Sequence, residues 1–345
     1  MRLQVERRRI ALIGLGMAVT PHARSLIDLQ ERVEVAYAFS PTAARREAFA
    51  AQFPFPLCDD LDTIVTDRSV EAVIVLTPAN THLDIVQLCA EGGKHILLEK
   101  PVEITTQRAT RLVEICEQNS VTLGIVLQHR FRPAGLRLAE LLREDGLGEI
   151  VSCSTTIDLW RPQSYYDEPG RGSFARDGGG VLISQGIHTL DLMQSLVGPV
   201  AEVRGYAMTS PVHQMETEDV VMAALRYESG ALGTVNATTA AYPGFLERIR
   251  IVCRHGTATL EGASLEVAFH DGRKENVRPT ATAGGTGADP MAFPHDWHRS
   301  LIENFLDALD QGCPPQVTGR EALKVHRLID ALIEAGHSGG TVPVS

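Results

Sequence analysis

Two stretches of this chain carry side chains whose type and spacing could do chemistry. The first is Lys94 to Val102, KHILLEKPV, where a short apolar run (Ile96, Leu97, Leu98) ends in Glu99, Lys100 and Pro101. An ammonium delivered by the carboxyl end of a buried strand sits where open α/β sheets bind ligands. The proline behind it removes a backbone donor and fixes φ near −65°, so the direction of the lysine is well determined. The second is Asp177-Gly178-Gly179-Gly180 followed by VLISQGIHTLDLMQSLVG, a helix that sets Ser184, His188 and Asp191 on one face by i+4 and i+3 spacing. Imidazole exchanges a proton near neutral pH, which suits His188 to acid–base work. Alone, neither residue is decisive: most lysines are solvated surface charges, and a histidine on a packed helix more often fills the core.

The elements around Lys100 form an alternating series. Arg9 to Ile13 is an apolar strand, followed by Gly14-Leu15-Gly16-Met17-Ala18-Val19. These two glycines match the start of the dinucleotide fingerprint GxGxxG, with Val19 in the third place. Gly14 would make the tight turn and Gly16 would let backbone approach a pyrophosphate at a helix N-terminus. A helix follows, then a strand from Val33 to Phe39 that ends in Ser40-Pro41-Thr42, with Arg45 and Arg46 behind. An Asp or Glu at this strand end would mark NAD; its absence, with arginine close by, favours NADP. Another strand, Val70 to Leu76, ends in Thr77-Pro78-Ala79-Asn80-Thr81-His82. Thr77 and Asn80 are placed to touch ribose or pyrophosphate, Asn80 equally to cap a helix, and His82 to touch a ligand or to be structural. Helix Thr105–Asn119 and strand Val121–Leu127 complete a parallel sheet wound on both faces.

After Gln128-His129-Arg130-Phe131-Arg132-Pro133 the pattern changes to long alternating strands with glycine at the turns, as in an antiparallel sheet. The expected strands are Glu149–Trp160, Ala201–Thr209, Asp219–Tyr227, Ala231–Thr239, Leu246–Cys253 and Thr257–Glu261. Two domains follow, residues 1–127 and 128–345: an N-terminal Rossmann doubly wound parallel sheet and a C-terminal α+β domain with a large, mostly antiparallel open sheet. The low-complexity stretch Ala281–Ala288 reads as a surface loop.

Composition fits this class. The chain has 345 residues, 44% of them hydrophobic and 22% charged, with a formal charge of −11. That charge argues against a nucleic-acid backbone as partner. Six cysteines lack any CxxC or His/Cys ligand spacing, which argues against a disulfide framework and a zinc site and for a reducing compartment. No apolar run approaches the ~18 residues of a membrane span. Arg7-Arg8-Arg9 before IALIGLGMAV imitates an export signal, but the same residues read better as the first strand and its glycine turn, so the cytoplasm is the expected location.

Together, the early GxG, Glu99-Lys100-Pro101, the triple-glycine helix with Gly186-Ile187-His188 and Asp191, and a late helix pair (Trp297–Leu309 and Arg320–Ala335) resemble the Gfo/Idh/MocA family of oxidoreductases across nearly the whole chain. The resemblance implies reversible hydride transfer between NAD(P) and a carbon bearing OH, with Lys100 holding the substrate hydroxyl and stabilising the alkoxide while His188 takes the proton. It also implies a homodimer or homotetramer formed through the C-terminal sheet. Cofactor contacts would come from Gly14, Gly16, Met17, Ala18, Ser40, Arg45, Thr77, Pro78, Asn80, His82, Glu99, Lys100 and Gln128. Substrate contacts would come from Lys100, Arg161, Tyr165, Tyr166, Arg171, Ser184, Gln185, His188 and His298. One departure stands out: many members carry Asp where this chain has Ser184. The substrate expected is a sugar, sugar derivative or nucleotide sugar. The alternatives are an inositol or trans-dihydrodiol dehydrogenase and, from another class, an NAD(P)-sensing regulator without catalysis, which would have no reason to keep both Lys100 and His188.

Overall fold

The computed structural model describes residues 7–279 and 294–345; the stretch Ala281–Ala288 lies outside them. The chain forms two compact units: Met1–Leu127 with His295–Leu323, and Gln128–Pro294 with Lys324–Ser345.

The first unit holds a six-stranded sheet: β1 (Arg8–Ile13), β2 (Val33–Phe39), β3 (Leu57–Cys58), β4 (Ala72–Val75), β5 (His95–Leu98) and β6 (Leu123–Ile125). Its order is β3-β2-β1-β4-β5-β6, and every pair is parallel. Helices α1 (Val19–Asp28), α2 (Ala43–Ala50), α3 (Leu61–Thr66), α4 (His82–Glu91) and α5 (Thr106–Gln118) connect the strands. Ala72–Val75 and Ile96–Leu98 are buried throughout, the unbroken apolar run of strands covered on both faces. Strand order reverses between β1 and β4, so the loops at their carboxyl ends splay apart and leave a crevice for a ligand. At the opposite edge Lys94 is buried, and its Nζ donates to the carbonyls of Asp67 and Val70 at 2.6 and 2.9 Å.

The second unit holds α6 (Pro133–Arg143), β7 (Ile150–Asp158), the short helices α7 (Gln163–Tyr166) and α8 (Phe174–Asp177), and α9 (Ile187–Val197). Strands β8 (Val200–Met208), β9 (Val220–Tyr227), β10 (Leu232–Thr238), β11 (Arg248–Cys253), β12 (Gly256–Glu261), β13 (Ser264–Phe269) and β14 (Lys274–Val277) follow. Helix α10 (Asp296–Gln311) belongs to the first unit, and α11 (Gly319–Ser338) and β15 (Thr341–Pro343) end the chain's regular structure. The nine-stranded sheet runs β14-β13-β12-β11-β7-β10-β9-β8-β15, antiparallel except for the parallel pair β7–β10. Its alternation is regular: in β9 and β10 every second residue is buried and the others are exposed, while α9 packs on β7 and β11 and α6 on β12 and β13. The mixed α/β architecture is the one expected, with three strands (β13, β14 and β15) beyond the six anticipated.

Two features differ from the linear reading. Residues 295–323 belong with the first unit, because α10 packs its apolar face on α1, a return that periodicity cannot reveal. The helix after the triple glycine also does not start as an α-helix: Leu182–Gly186 is a π turn, and α9 begins only at Ile187. Glu218, which leads into β9, holds this start. Its carboxylate accepts the N–H groups of Gly180 and Leu182 at 3.0 and 3.3 Å, and its carbonyl accepts that of Val181 at 2.9 Å. A Cβ on Gly180 would lie 1.7 Å from the Glu218 carbonyl oxygen. Gly180→Ala should therefore cost on the order of 1–3 kcal/mol by overpacking, read as a Tm several degrees lower in thermal unfolding followed by circular dichroism; an unchanged Tm would contradict this close approach.

Candidate active site

In the first unit the glycine turn has the shape a dinucleotide requires. Gly14 has φ of +104°, and a Cβ there would lie 2.8 Å from the Leu76 carbonyl carbon and 3.0 Å from Thr77 Cγ2. Only glycine fits between the ends of β1 and β4. Above Gly16 there is open space, where backbone can meet a pyrophosphate. Met17 is exposed, and Ala18, at the N-cap of α1, offers no side-chain hydrogen bond; the Val19 N–H bonds the Gly16 carbonyl at 3.2 Å and Pro21 has none. Thr77, Pro78 and Asn80 line the turn after β4, with Pro78 and Asn80 exposed. His82 is turned inward: it is buried, with Nε2 2.8 Å from the Thr77 carbonyl and Nδ1 3.1 and 3.2 Å from those of Pro101 and Val102. It ties the loops after β4 and β5 together, which is the structural alternative for this residue.

The two arginines after β2 divide their roles. Arg46 donates to the Ser40 carbonyl at 2.6 Å and pairs with Asp59 at 3.5 Å, closing the turn. Ser40 is buried, and its hydroxyl accepts the Thr42 N–H at 3.3 Å. Arg45 is exposed and borders a cleft of about 350 Å3 shared with Gly16, Met17, Thr20 and Gln52.

Lys100 follows β5 at the carboxyl edge and is half-buried. Behind it Glu99 is buried, with Oε1 2.9 Å from His22 Nε2 and Oε2 accepting the Lys100 N–H at 3.0 Å. Burial works to raise the Glu99 carboxyl, but the His22 hydrogen bond and the positive charge of Lys100 outweigh it and hold the group below the usual carboxylate range. His298, expected as a substrate contact, is 2% exposed on α10, its ring edge-on to that of His22 at 4.9 Å. Burial pushes the His298 ring down to about 3, so it is neutral.

In the second unit His188 lies in the first turn of α9, half-buried, with its ring stacked on that of His129 at 4.8 Å. Asp191, one turn on, is buried and clamped by Arg130 through two hydrogen bonds, Nε to Oδ2 at 2.8 Å and Nη2 to Oδ1 at 2.6 Å. Neither His129 nor Arg130 was singled out by the sequence, since no local spacing links them to a helix some sixty residues on. The Ser184 hydroxyl reaches back to the Gly179 carbonyl at 3.4 Å. Tyr165 is the centre of the neighbouring loop. Its hydroxyl accepts from Arg171 at 2.8 Å and from Gln185 at 3.3 Å, and the Arg171 guanidinium lies 4.3 Å from its ring centre. Arg161 and Tyr166 are buried beneath it; Tyr166 bonds Thr239 at 2.8 Å. Gln128 is buried too, and its Oε1 has no hydrogen-bond partner among the described residues.

Comparison with known proteins decides the family. Residues 8–126 match an oxidoreductase family with an NAD-binding Rossmann fold, and residues 136–259 match the GFO/IDH/MocA C-terminal domain. The chain belongs to the Gfo/Idh/MocA family. Among its relatives, D-xylose 1-dehydrogenase (NADP(+)) 2 of Haloferax volcanii is 28% identical, over 90% of this chain and 91% of that protein. The myo-inositol 2-dehydrogenase of Thermotoga maritima is 24% identical, over 91% of each. The WlbA dehydrogenase of Bordetella pertussis, solved with NADH and UDP-GlcNAcA, is 27% identical and superposes with a TM-score of 0.84 over 99% of both chains.

As a Gfo/Idh/MocA protein the chain has a glycine turn that fits a bound NAD(P): the methyl-excluding approach at Gly14 and the open space at Gly16 are features such a cofactor uses. The Arg130–Asp191 clamp fixes the face of α9 that carries His188. Because Asp191 is buried and accepts two hydrogen bonds from Arg130, Asp191→Ala would break a buried ion pair and should destabilise the protein by about 3–5 kcal/mol. Urea unfolding measures this, and pairing Asp191→Leu with Arg130→Met should recover most of the loss.

Proposed function

We propose that this chain is an NAD(P)-dependent dehydrogenase of a CH–OH group on a sugar, sugar derivative or nucleotide sugar. The observation that carries the reading is Lys100, half-buried at the carboxyl end of a parallel strand and backed by a buried carboxylate. It belongs to the same unit as a glycine turn fitted to a dinucleotide. Bound NAD(P) supplies the hydride acceptor or donor. The chain's own residues do the rest. Lys100 holds the substrate hydroxyl and stabilises the charge that grows on its oxygen. His188 takes the hydroxyl proton on oxidation and returns it on reduction. Tyr165, Arg171 and Gln185, already joined by hydrogen bonds, orient the ring hydroxyls, with Arg161 and Tyr166 as their support. Inositol is the alternative substrate class, supported by the myo-inositol 2-dehydrogenase relative.

NADP is the cofactor we favour. Arg46 is occupied in closing the turn, which leaves the exposed Arg45 beside the cleft at Gly16 as the cation for a 2′-phosphate. We further propose a homodimer or homotetramer through the nine-stranded sheet, whose outer face exposes Tyr206, Met208, Met222 and Leu232 on adjacent strands. No described helix is long and apolar enough to cross a membrane. The six free thiols suit the reducing cytoplasm, where we place the protein.

A panel of sugars, sugar acids, nucleotide sugars and inositols, followed at the reduced-nicotinamide absorbance, tests the reaction. Turnover should appear with at least one of them. It should fall by roughly two or more orders of magnitude in Lys100→Ala, and His188→Ala should lose the acidic limb of the pH–rate profile. Full turnover in Lys100→Ala, or silence across the panel with cofactor bound, would refute it. For the cofactor, Arg45→Gln should weaken NADPH binding roughly ten- to hundredfold, the loss of one charge-assisted contact, while NADH binding holds; fluorescence titration of the two separates the cases.

A further inference from the structure

Of the titratable clusters outside the roles assigned above, one is buried, made from three separate elements and directly joined to Lys100. We infer that His22 and His298 are positioning residues for Lys100, acting through the carboxylate of Glu99. This rests on the role proposed for Lys100.

The geometry gives each oxygen of Glu99 one task. Oε1 meets His22 Nε2 at 2.9 Å, and Oε2 accepts the backbone N–H of Lys100 at 3.0 Å. His22 Nδ1 is buried and has no hydrogen-bond partner among the described residues. Because an ionised carboxylate only accepts, His22 donates from Nε2 to Glu99. His298 closes the cluster from α10, edge-on to His22. His22 comes from α1, the helix that the glycine turn starts, and Glu99 from the end of β5. Helix, strand and returning segment thus meet on one carboxylate, and that carboxylate holds the amide of Lys100.

Packing alone does not call for this arrangement. Apolar residues of similar volume would fill the site without burying an ionised group. The groups facing Glu99 are His22, His298 and Lys100, and those facing His298 are His22, Glu99 and His295. With His298 neutral, the negative charge of the cluster is that of Glu99, which acts electrostatically on Lys100 as well as accepting its backbone N–H. The imidazole, carboxylate and imidazole could also be read as ligands, since their donor atoms lie within 4.8 Å of one another. The 2.9 Å between His22 Nε2 and Glu99 Oε1 decides for a hydrogen bond: two ligands of one tetrahedral zinc stay roughly 3.3 Å apart, given bond lengths near 2.0–2.1 Å.

The test needs no substrate. In the full-length protein, the pH midpoint for acetylation of the Lys100 amine by acetic anhydride is followed by mass spectrometry. Glu99→Gln should lower the midpoint by about one pH unit, the effect of losing one adjacent opposite charge. His22→Leu should shift it in the same direction, and His22→Gln, which keeps a donor, should restore it. With a substrate from the panel, Glu99→Gln and His22→Leu should lower kcat at least tenfold while KM for the cofactor moves less than threefold. If His22→Leu does not fold, Glu99→Gln, nearly isosteric, decides by itself. Folded variants with the wild-type midpoint and kcat would reduce the cluster to packing. Stoichiometric zinc in the purified protein, lost in His22→Leu, would overturn the hydrogen-bonded reading in favour of a metal. Unchanged turnover in Lys100→Ala would remove the catalytic role of the lysine, while the labelling midpoint still decides whether the cluster positions it.

Discussion

A carboxylate taken out of water must have its oxygens hydrogen-bonded or paired with a cation, and this chain uses that constraint wherever a functional side chain needs a fixed direction. Glu99 joins α1 to the backbone of Lys100. Asp191, gripped by Arg130, fixes α9 one turn beyond His188. Glu218 supplies the first amides of the triple-glycine helix with acceptors. Asp219 gathers the Ser210 hydroxyl at 2.6 Å and His213 Nδ1 at 2.6 Å, and His213 in turn bonds the carbonyl of Arg161 at 2.8 Å. In each case the buried acid bonds backbone or a side chain from a distant segment, so its satisfaction and the placement of a loop are one event. That is a costly way to fill a core and an effective way to set a direction.

The apolar sheets around these acids are simpler. The first sheet is legible because both faces of its parallel strands are covered, which makes AVIV and ILL continuous apolar runs set between helices. The second is legible because one face is exposed, which makes β9 and β10 alternate. Periodicity reports the solvent exposure of each element, and nothing further is needed to find these strands. It reports less where strands are short: β14 and β15 bury too little for the pattern to rise above the turns beside them.

The site was legible only in part, and the division is physical. Gly14, Lys100 and His188 could be read because local motifs place them: a turn that excludes a methyl group, a strand end and a helix after glycines. The partners that fix them could not. His22 and Glu99 are 77 residues apart, and Arg130 and Asp191 are 61 apart; no local period links such pairs. His298 was noticed as a histidine on a late helix, but its burial beside His22 depends on residues 295–323 returning to the first unit. His82 was open to both readings, and the carbonyls of Thr77, Pro101 and Val102 around its ring give it a structural task. Arg45 and Arg46 are chemically alike, and only the three-dimensional turn separates the one that closes it from the one beside the cleft.

At Ser184 the resemblance to the family implies an aspartate, and the acids near this serine have other partners. Its hydroxyl turns back to Gly179 within a π turn and brings no charge to the helix. The acids near that helix have other tasks: Asp191 within it is bonded to Arg130, and burial raises the carboxyl of Glu218, beside its start, while it accepts backbone amides. Neither substitutes for an aspartate placed to share charge with the imidazole. On the side of Lys100 the balance is different. There the Glu99 carboxyl is held below its usual range by its hydrogen bonds and accepts the backbone N–H of Lys100. An alcohol losing its proton needs positive potential at its oxygen and a base for the proton. If Lys100 and His188 act as proposed, the first requirement falls to a lysine tied to a buried carboxylate and the second to an imidazole with serine one turn before it. On that reading Lys100 and Glu99 would carry the larger share of the electrostatic work.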